Sequence, residues 1–146
     1  MDFSRLSPMS WYPGHMRKAE RELQDRLKLI DLVLEIVDAR APRSSLNPRL
    51  SRLAANKAHV IVINKEDLAD SDTTKAWVRH FRDENRQCLA LHHRRRGTRS
   101  RILKILQRAA TDDRQRRGVT RPQLHATRIM VVGIPNVGKS SLINLL

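Results

Sequence analysis

The sequence predicts a doubly wound α/β fold with a mostly parallel sheet, and three observations carry that prediction. Short apolar runs rich in β-branched residues alternate with stretches whose apolar positions recur every three or four residues. The apolar runs are nearly continuous, as strands buried on both faces of a parallel sheet must be. Two of them end on polar or glycine-bearing loops, Asn64-Lys65-Glu66-Asp67 and Gly133-Ile134-Pro135-Asn136-Val137-Gly138-Lys139-Ser140. Ligands of such sheets sit beyond the carboxyl ends of the strands.

Taken in order, Ala19, Leu23, Leu27 and Ile30 share one face of a helix that begins near Met16. Residues 32–37 form the first strand. Asn47 followed by Pro48 caps a short helix carrying Leu50, Leu53 and Ala54, because an Asn side chain accepts N–H bonds there and proline fits the first helical position. Residues 60–63 form the second strand and end directly at Asn64. Ser71 or Asp72 can cap the next helix, with Ala76, Trp77, His80 and Phe81 on one side. Residues 87–91 are the third strand, followed by a helix bearing Ile102, Leu103, Leu106, Ala109 and Ala110. Residues 111–126, rich in Arg with Gly118 and Pro122, read as a basic linker. Residues 129–132 are the strand that feeds the glycine loop, and residues 1–15 form an N-terminal segment.

The 146 residues, 40% of them hydrophobic, suit one domain, and two Trp, one Tyr and two Phe are few for that size. The single Cys88 lies in an apolar stretch and reads as a buried thiol in a reducing compartment; no disulfide and no metal cluster is expected. No apolar run reaches the ~18 residues of a membrane span, and no secretion signal opens the chain, so the expected location is cytoplasmic. The net charge is +14, and between Arg94 and Arg128 twelve Lys or Arg face only Asp112 and Asp113. Such a one-sided field attracts polyanions. It points to RNA held through phosphates, since this stretch has no aromatic residues on which bases could stack.

The glycine loop fits G-x-x-x-x-G-K-[ST], in which backbone N–H groups cradle phosphates. Lys139 would reach the β/γ oxygens and the Ser140 hydroxyl Mg²⁺, while Asn136, Val137, Gly138 and Ser141 complete a GTPase-type loop. In the other motif the Asp67 carboxylate can accept both the N1–H and the amino group of guanine, donors that adenine lacks. Asn64 can serve the far edge of the base or tie the loops together, and the Lys65 stem can lie over the ring. An ordinary GTPase places the phosphate loop first and the guanine motif after it. Here the order is reversed, which reads as a circular permutation. Asp38, closing the first strand, is placed to accept N–H bonds and steady a neighbouring loop.

Together with Trp11-Tyr12-Pro13-Gly14-His15-Met16 and Asp38-Ala39-Arg40-Ala41-Pro42, these motifs make the chain resemble the YlqF/RbgA family of circularly permuted ribosome-assembly GTPases, which includes mitochondrial relatives. The resemblance runs from Trp11 to Leu146. It implies a P-loop GTPase-like sheet, GTP and Mg²⁺ as ligands, and the large ribosomal subunit precursor with its ribosomal RNA as partner. It also makes His15, within the turn of residues 13–16, a candidate for orienting the attacking water, in place of the glutamine that ordinary GTPases use. Two departures accompany it. The loop of residues 91–98 is strongly basic, where relatives carry small polar residues. The sequence also stops six residues after Ser140, before the Mg²⁺-completing threonine, the D-x-x-G turn and the family's RNA-binding domain. A partial GTPase domain that binds GTP and does not hydrolyse it is therefore expected; the alternatives are a non-hydrolysing RNA- or ribosome-binding module and an inactive remnant.

Overall fold

The computed structural model describes residues 14–92, 94–119 and 126–146. Its centre is β1 (Leu32–Asp38), buried at all seven positions. Parallel to it on one side lies β2 (Ala58–Asn64), with β3 (Gln87–Leu91) beyond, and on the other side lies β4 (Ile129–Val132), giving the order β3-β2-β1-β4. All the pairings are parallel, as the runs of Val, Ile and Leu predict.

The period of two in each strand sorts the core into opposite faces. Leu32, Leu34 and Ile36 join Val60, Val62 and Leu91 on one face, where α5 (Thr98–Arg116) contributes Ile102, Leu106 and Ala109 and α6 (Lys139–Ile143) contributes Leu142. On the other face, Ile61, Ile63 and Cys88 pack with Phe81 of α4 (Ser71–Asp83). Val33 packs there with Leu27 of α1 (Gly14–Lys28) and Leu50 of α3 (Pro48–Leu53). Each fully buried aliphatic side chain contributes about 1.5–3 kcal/mol, so β1 is where truncation costs most. Burial of Cys88 matches the sequence reading, and the apolar surroundings push its thiol up to about 12.

Several boundaries differ from expectation. Helix α5 runs on to Arg116, so residues 111–116 are helical and not linker. Asp112 and Asp113 hold that end, with Asp113 pairing to Arg116 at 3.2 Å and to Arg117 at 2.8 Å one turn on. Asp70, not Ser71 or Asp72, caps α4, accepting the Thr73 N–H at 2.7 Å. Helix α1 starts at Gly14, so Gly14 and His15 belong to it and not to a preceding turn. Residues 1–13, His93 and residues 120–125 lie outside the described residues.

Glu35 is the one charged residue inside the apolar run of β1, and it is fully buried. The Asn47 N–H donates to it at 2.8 Å, and His59 Nε2 lies 3.0 Å from its other oxygen. Paired in this way, it pins α3 and β2 to the central strand.

Candidate nucleotide site

The register of β1 with β2 sets Asp38 beside Asn64, both at carboxyl ends, while β4 stops opposite Glu35 and releases the glycine loop next to them. Two hydrogen bonds join the motifs, each between residues more than seventy positions apart. Buried Asn64 donates through Nδ2 to the Val137 carbonyl at 2.8 Å, and Lys65 donates through Nζ to the Asn136 carbonyl at 2.8 Å. Of the two roles the sequence allows for Asn64, the geometry shows the tying of loops. Its Oδ1 is buried without a partner among the described residues. A buried acceptor left in this state costs about 1–3 kcal/mol, so Oδ1 is a position at which an added donor would be favoured.

Lys65 has left-handed backbone, φ 62°, which turns the chain sharply as it leaves β2. Its ammonium also reaches Asp38 Oδ2 at 3.2 Å. Asp38 takes two bonds from the Arg40 guanidinium, each 2.9 Å, and one from the Arg40 backbone N–H at 3.0 Å. The guanidinium holds the Asp38 carboxyl well below the usual carboxylate range. Behind it, Ser45 in α2 (Pro42–Ser45) accepts the Asp38 N–H at 2.9 Å and donates to the Ala41 carbonyl at 2.7 Å. The N–H acceptance expected of Asp38 is present, and it comes with a charge cluster that orients Lys65.

The glycine loop packs too closely for side chains. A Cβ on Gly133 would stand 2.6 Å from the Ile36 carbonyl oxygen, and one on Gly138, whose φ is 104°, would collide with Asn64 Nδ2. Asn136 takes φ 60°, a conformation that asparagine tolerates. Val137 is buried in the core and anchors the loop from below. The N–H groups of Val137 and Gly138 donate to nothing among the described residues. Lys139 folds back, donating to the Gly133 carbonyl at 2.9 Å and the Ile134 carbonyl at 2.8 Å. Ser140 and Ser141 are exposed at the start of α6. A bare backbone concavity with unspent N–H donors, a lysine and hydroxyls is suited to a phosphate chain.

Comparison with known proteins bears on the same residues. Residues 128–146 match the MMR_HSR1 model, described as a 50S ribosome-binding GTPase. Ribosome biogenesis GTPase A of Bacillus licheniformis is 45% identical over 141 residues, covering 94% of this chain and 49% of that protein. Mitochondrial ribosome-associated GTPase 1 of Mus musculus is 37% identical over 138 residues, covering 93% and 41%. The crystal structure of GNP-bound YlqF from T. maritima has a TM-score of 0.68 at 33% identity, over 88% of this chain and 47% of that one. The chain is similar to these YlqF/RbgA-type GTPases over nearly its whole length. It spans about half the length of the curated relatives it matches.

In the region of likeness, both motifs stand at the carboxyl ends of the parallel strands on either side of β1. Asp67 lies exposed in a single 3-10 turn, Glu66–Leu68, on the rim of a cleft, and its carboxylate joins no hydrogen bond or ion pair among the described residues. The basic loop after β3 is closed by the buried Thr98, whose hydroxyl donates to the Arg95 carbonyl at 2.7 Å, and by Gly97 at φ 78°. Arg95 reaches Glu66 at 3.4 Å, which links this loop to the guanine-motif turn. The pair is largely exposed and adds little stability. His15 stands in the first turn of α1, and its side chain is outside the described residues. The loop-tying role is one of two that the sequence allows for Asn64, whereas the pairing of Asp38 with both Arg40 and Lys65 has no signal in the sequence beyond the motifs' places at strand ends.

Proposed function

We propose that this chain carries the guanine-reading and phosphate-cradling half of a GTPase that acts in assembly of the large ribosomal subunit. The observation that carries the reading is the pair of bonds from Asn64 and Lys65 to the Val137 and Asn136 carbonyls, which lock a base-reading loop to a phosphate loop. Asp67 would accept from the guanine edge, the Lys65 stem would lie along the ring, and the loop N–H groups, Lys139 and Ser141 would hold the phosphates. Ser140 would supply a hydroxyl to Mg²⁺, which neutralises phosphate charge when bound. Lys139 must exchange its bonds to the Gly133 and Ile134 carbonyls for phosphate oxygens, so the loop takes its ligand by trading hydrogen bonds.

In this reading His15 orients the attacking water in the complete protein, and the substrate particle is a large-subunit precursor held through its RNA. The compartment is one in which ribosomes are built; among the described residues no helix is long and apolar enough to cross a membrane. The non-hydrolysing ribosome-binding module remains a second reading, favoured by the basic residues gathered in and around α5. A fluorescent GDP titration separates them. The chain should bind GDP, and Lys139→Ala should remove that binding while leaving the circular dichroism spectrum intact. A chain that folds and ignores guanine nucleotides would favour the module.

A further inference from the structure

Strand β3 is one edge of the sheet, and a groove runs along it between α4 and α5. Two cavities of about 670 Å³ each adjoin there, sharing Arg82, Leu89 and Arg101 in their walls. Basic residues line both banks. Arg79, Arg82 and Arg86 come from α4 and the turn after it, and Arg101, Lys104 and Arg108 come from one face of α5. Their spacing of three and four residues is what brings each row to the same side of its helix.

An exposed strand edge invites another β-strand, yet this one is already engaged. Arg82 Nη2 donates to the Cys88 carbonyl at 3.1 Å, and Arg101 Nη2 donates to the Ala90 carbonyl at 3.1 Å. These are alternate residues of β3, whose carbonyls face away from β2. The guanidinium groups therefore block strand addition, and each keeps further N–H donors for a ligand. Acid counterparts are sparse along the walls. Arg86 meets Glu84 only at 3.6 Å and Arg108 meets Asp112 at 3.9 Å, while Arg79 and Lys104 form no ion pair among the described residues. By contrast Arg116 and Arg117, within the basic stretch between Arg94 and Arg128, are matched by Asp113.

We propose that this groove is a track for the phosphate backbone of RNA, placed beside the nucleotide site. Asp67 and Glu66 sit at one end of the same groove, so an RNA lying in it would meet the guanine-motif turn. Among the described residues no Phe, Tyr or Trp lines the walls and His92 is the single ring there, which makes the contact chiefly one of charge and guanidinium hydrogen bonds. The proposal takes the identity of its partner from the ribosome-assembly reading, and takes its location from the groove alone.

The test is binding of a short oligo(U) RNA to the full chain between about 50 and 200 mM salt. The triple variant Arg79→Glu, Lys104→Glu, Arg108→Glu is compared with Arg43→Glu, Arg49→Glu, Arg52→Glu, which changes net charge equally at a distance from the groove. Arg82 and Arg101 are left in place because they cover the strand edge. At about 0.7 per lost contact on a single strand, the groove variant should flatten the log–log salt slope by about two, and the distant variant should leave it nearly unchanged. A neutral set, Arg79→Gln, Lys104→Gln, Arg108→Gln, should give the same flattening and guards against misfolding from charge reversal. Equal loss in both reversals, no loss in either, or tighter binding of oligo-glutamate than of RNA would each overturn the proposal. Fluorescent GDP binding by the unmodified chain is read separately. Its failure would undo the nucleotide reading without altering the comparison of slopes.

Discussion

Gly138→Ala is the sharpest perturbation of the junction between the two motifs. At φ 104° an alanine is strained by about 1–3 kcal/mol. The added Cβ would also drive Asn64 Nδ2 off the Val137 carbonyl, removing the one hydrogen bond that the buried amide makes among the described residues. Losing such a bond costs about 1–3 kcal/mol more, so the expected loss is about 2–6 kcal/mol out of a typical total of about 5–15. Gly97→Ala is the matched control, since at φ 78° it carries backbone strain of about 1–2 kcal/mol but no atom lies within 4 Å of the new Cβ. Urea unfolding followed by circular dichroism should give a lower midpoint for Gly138→Ala than for Gly97→Ala at similar slope. Fluorescent GDP affinity should fall at least tenfold in Gly138→Ala alone. Equal midpoints and equal affinities in the two variants would refute the idea that Asn64 and the glycine loop hold one another.

Asp38→Asn should free Lys65 and weaken GDP binding by roughly tenfold, about 1.4 kcal/mol, whereas the exposed Arg40→Gln should change it less; a calorimetric titration decides between them. Because Arg40 lowers the Asp38 carboxyl, its stabilising contribution is fully present above the ordinary carboxylate range. It is lost as pH falls below about 4, so the urea midpoint of the unmodified chain should drop more steeply in acid than that of Asp38→Asn. Cys88, its thiol pushed up to about 12 by burial, should resist a thiol-specific dye near pH 8 until urea unfolds the chain. Rapid labelling of the native protein would place it outside the core.

The fold was legible because its strands are buried on both faces, and such strands write themselves as unbroken Val, Ile and Leu runs. The order of motifs was legible because a glycine loop ending in Gly138-Lys139-Ser140 and an N-K-x-D turn ending in Asp67 each have fixed spacing. Less visible was what lies between sequence-distant residues. Nothing local marks Glu35 as the partner of Asn47 and His59, or Asp38 as the anchor of both Arg40 and Lys65, since those pairings exist only once the strands are in register. The reach of α5 past Ala110 was missed because Arg and Asp in a run read as linker, although their three- and four-residue spacing is helical. The charge argument located the basic region and not its geometry. Helical rows and ion pairs, absent from a linear count, decide which cations face the groove and which are neutralised.

That Asp67 reads the base is tested most directly by exchanging the base and the residue together. Asp67→Asn replaces one acceptor by a donor, which suits the carbonyl that xanthine carries where guanine has its amino group. In competition against a fluorescent guanine nucleotide, the unmodified chain should prefer GTP over both ATP and XTP. Asp67→Asn should lose GTP by roughly ten- to hundredfold, about 1–3 kcal/mol, and gain XTP. Equal binding of GTP and ATP by the unmodified chain, or an Asp67→Asn variant with unaltered preference, would contradict a guanine site at this turn.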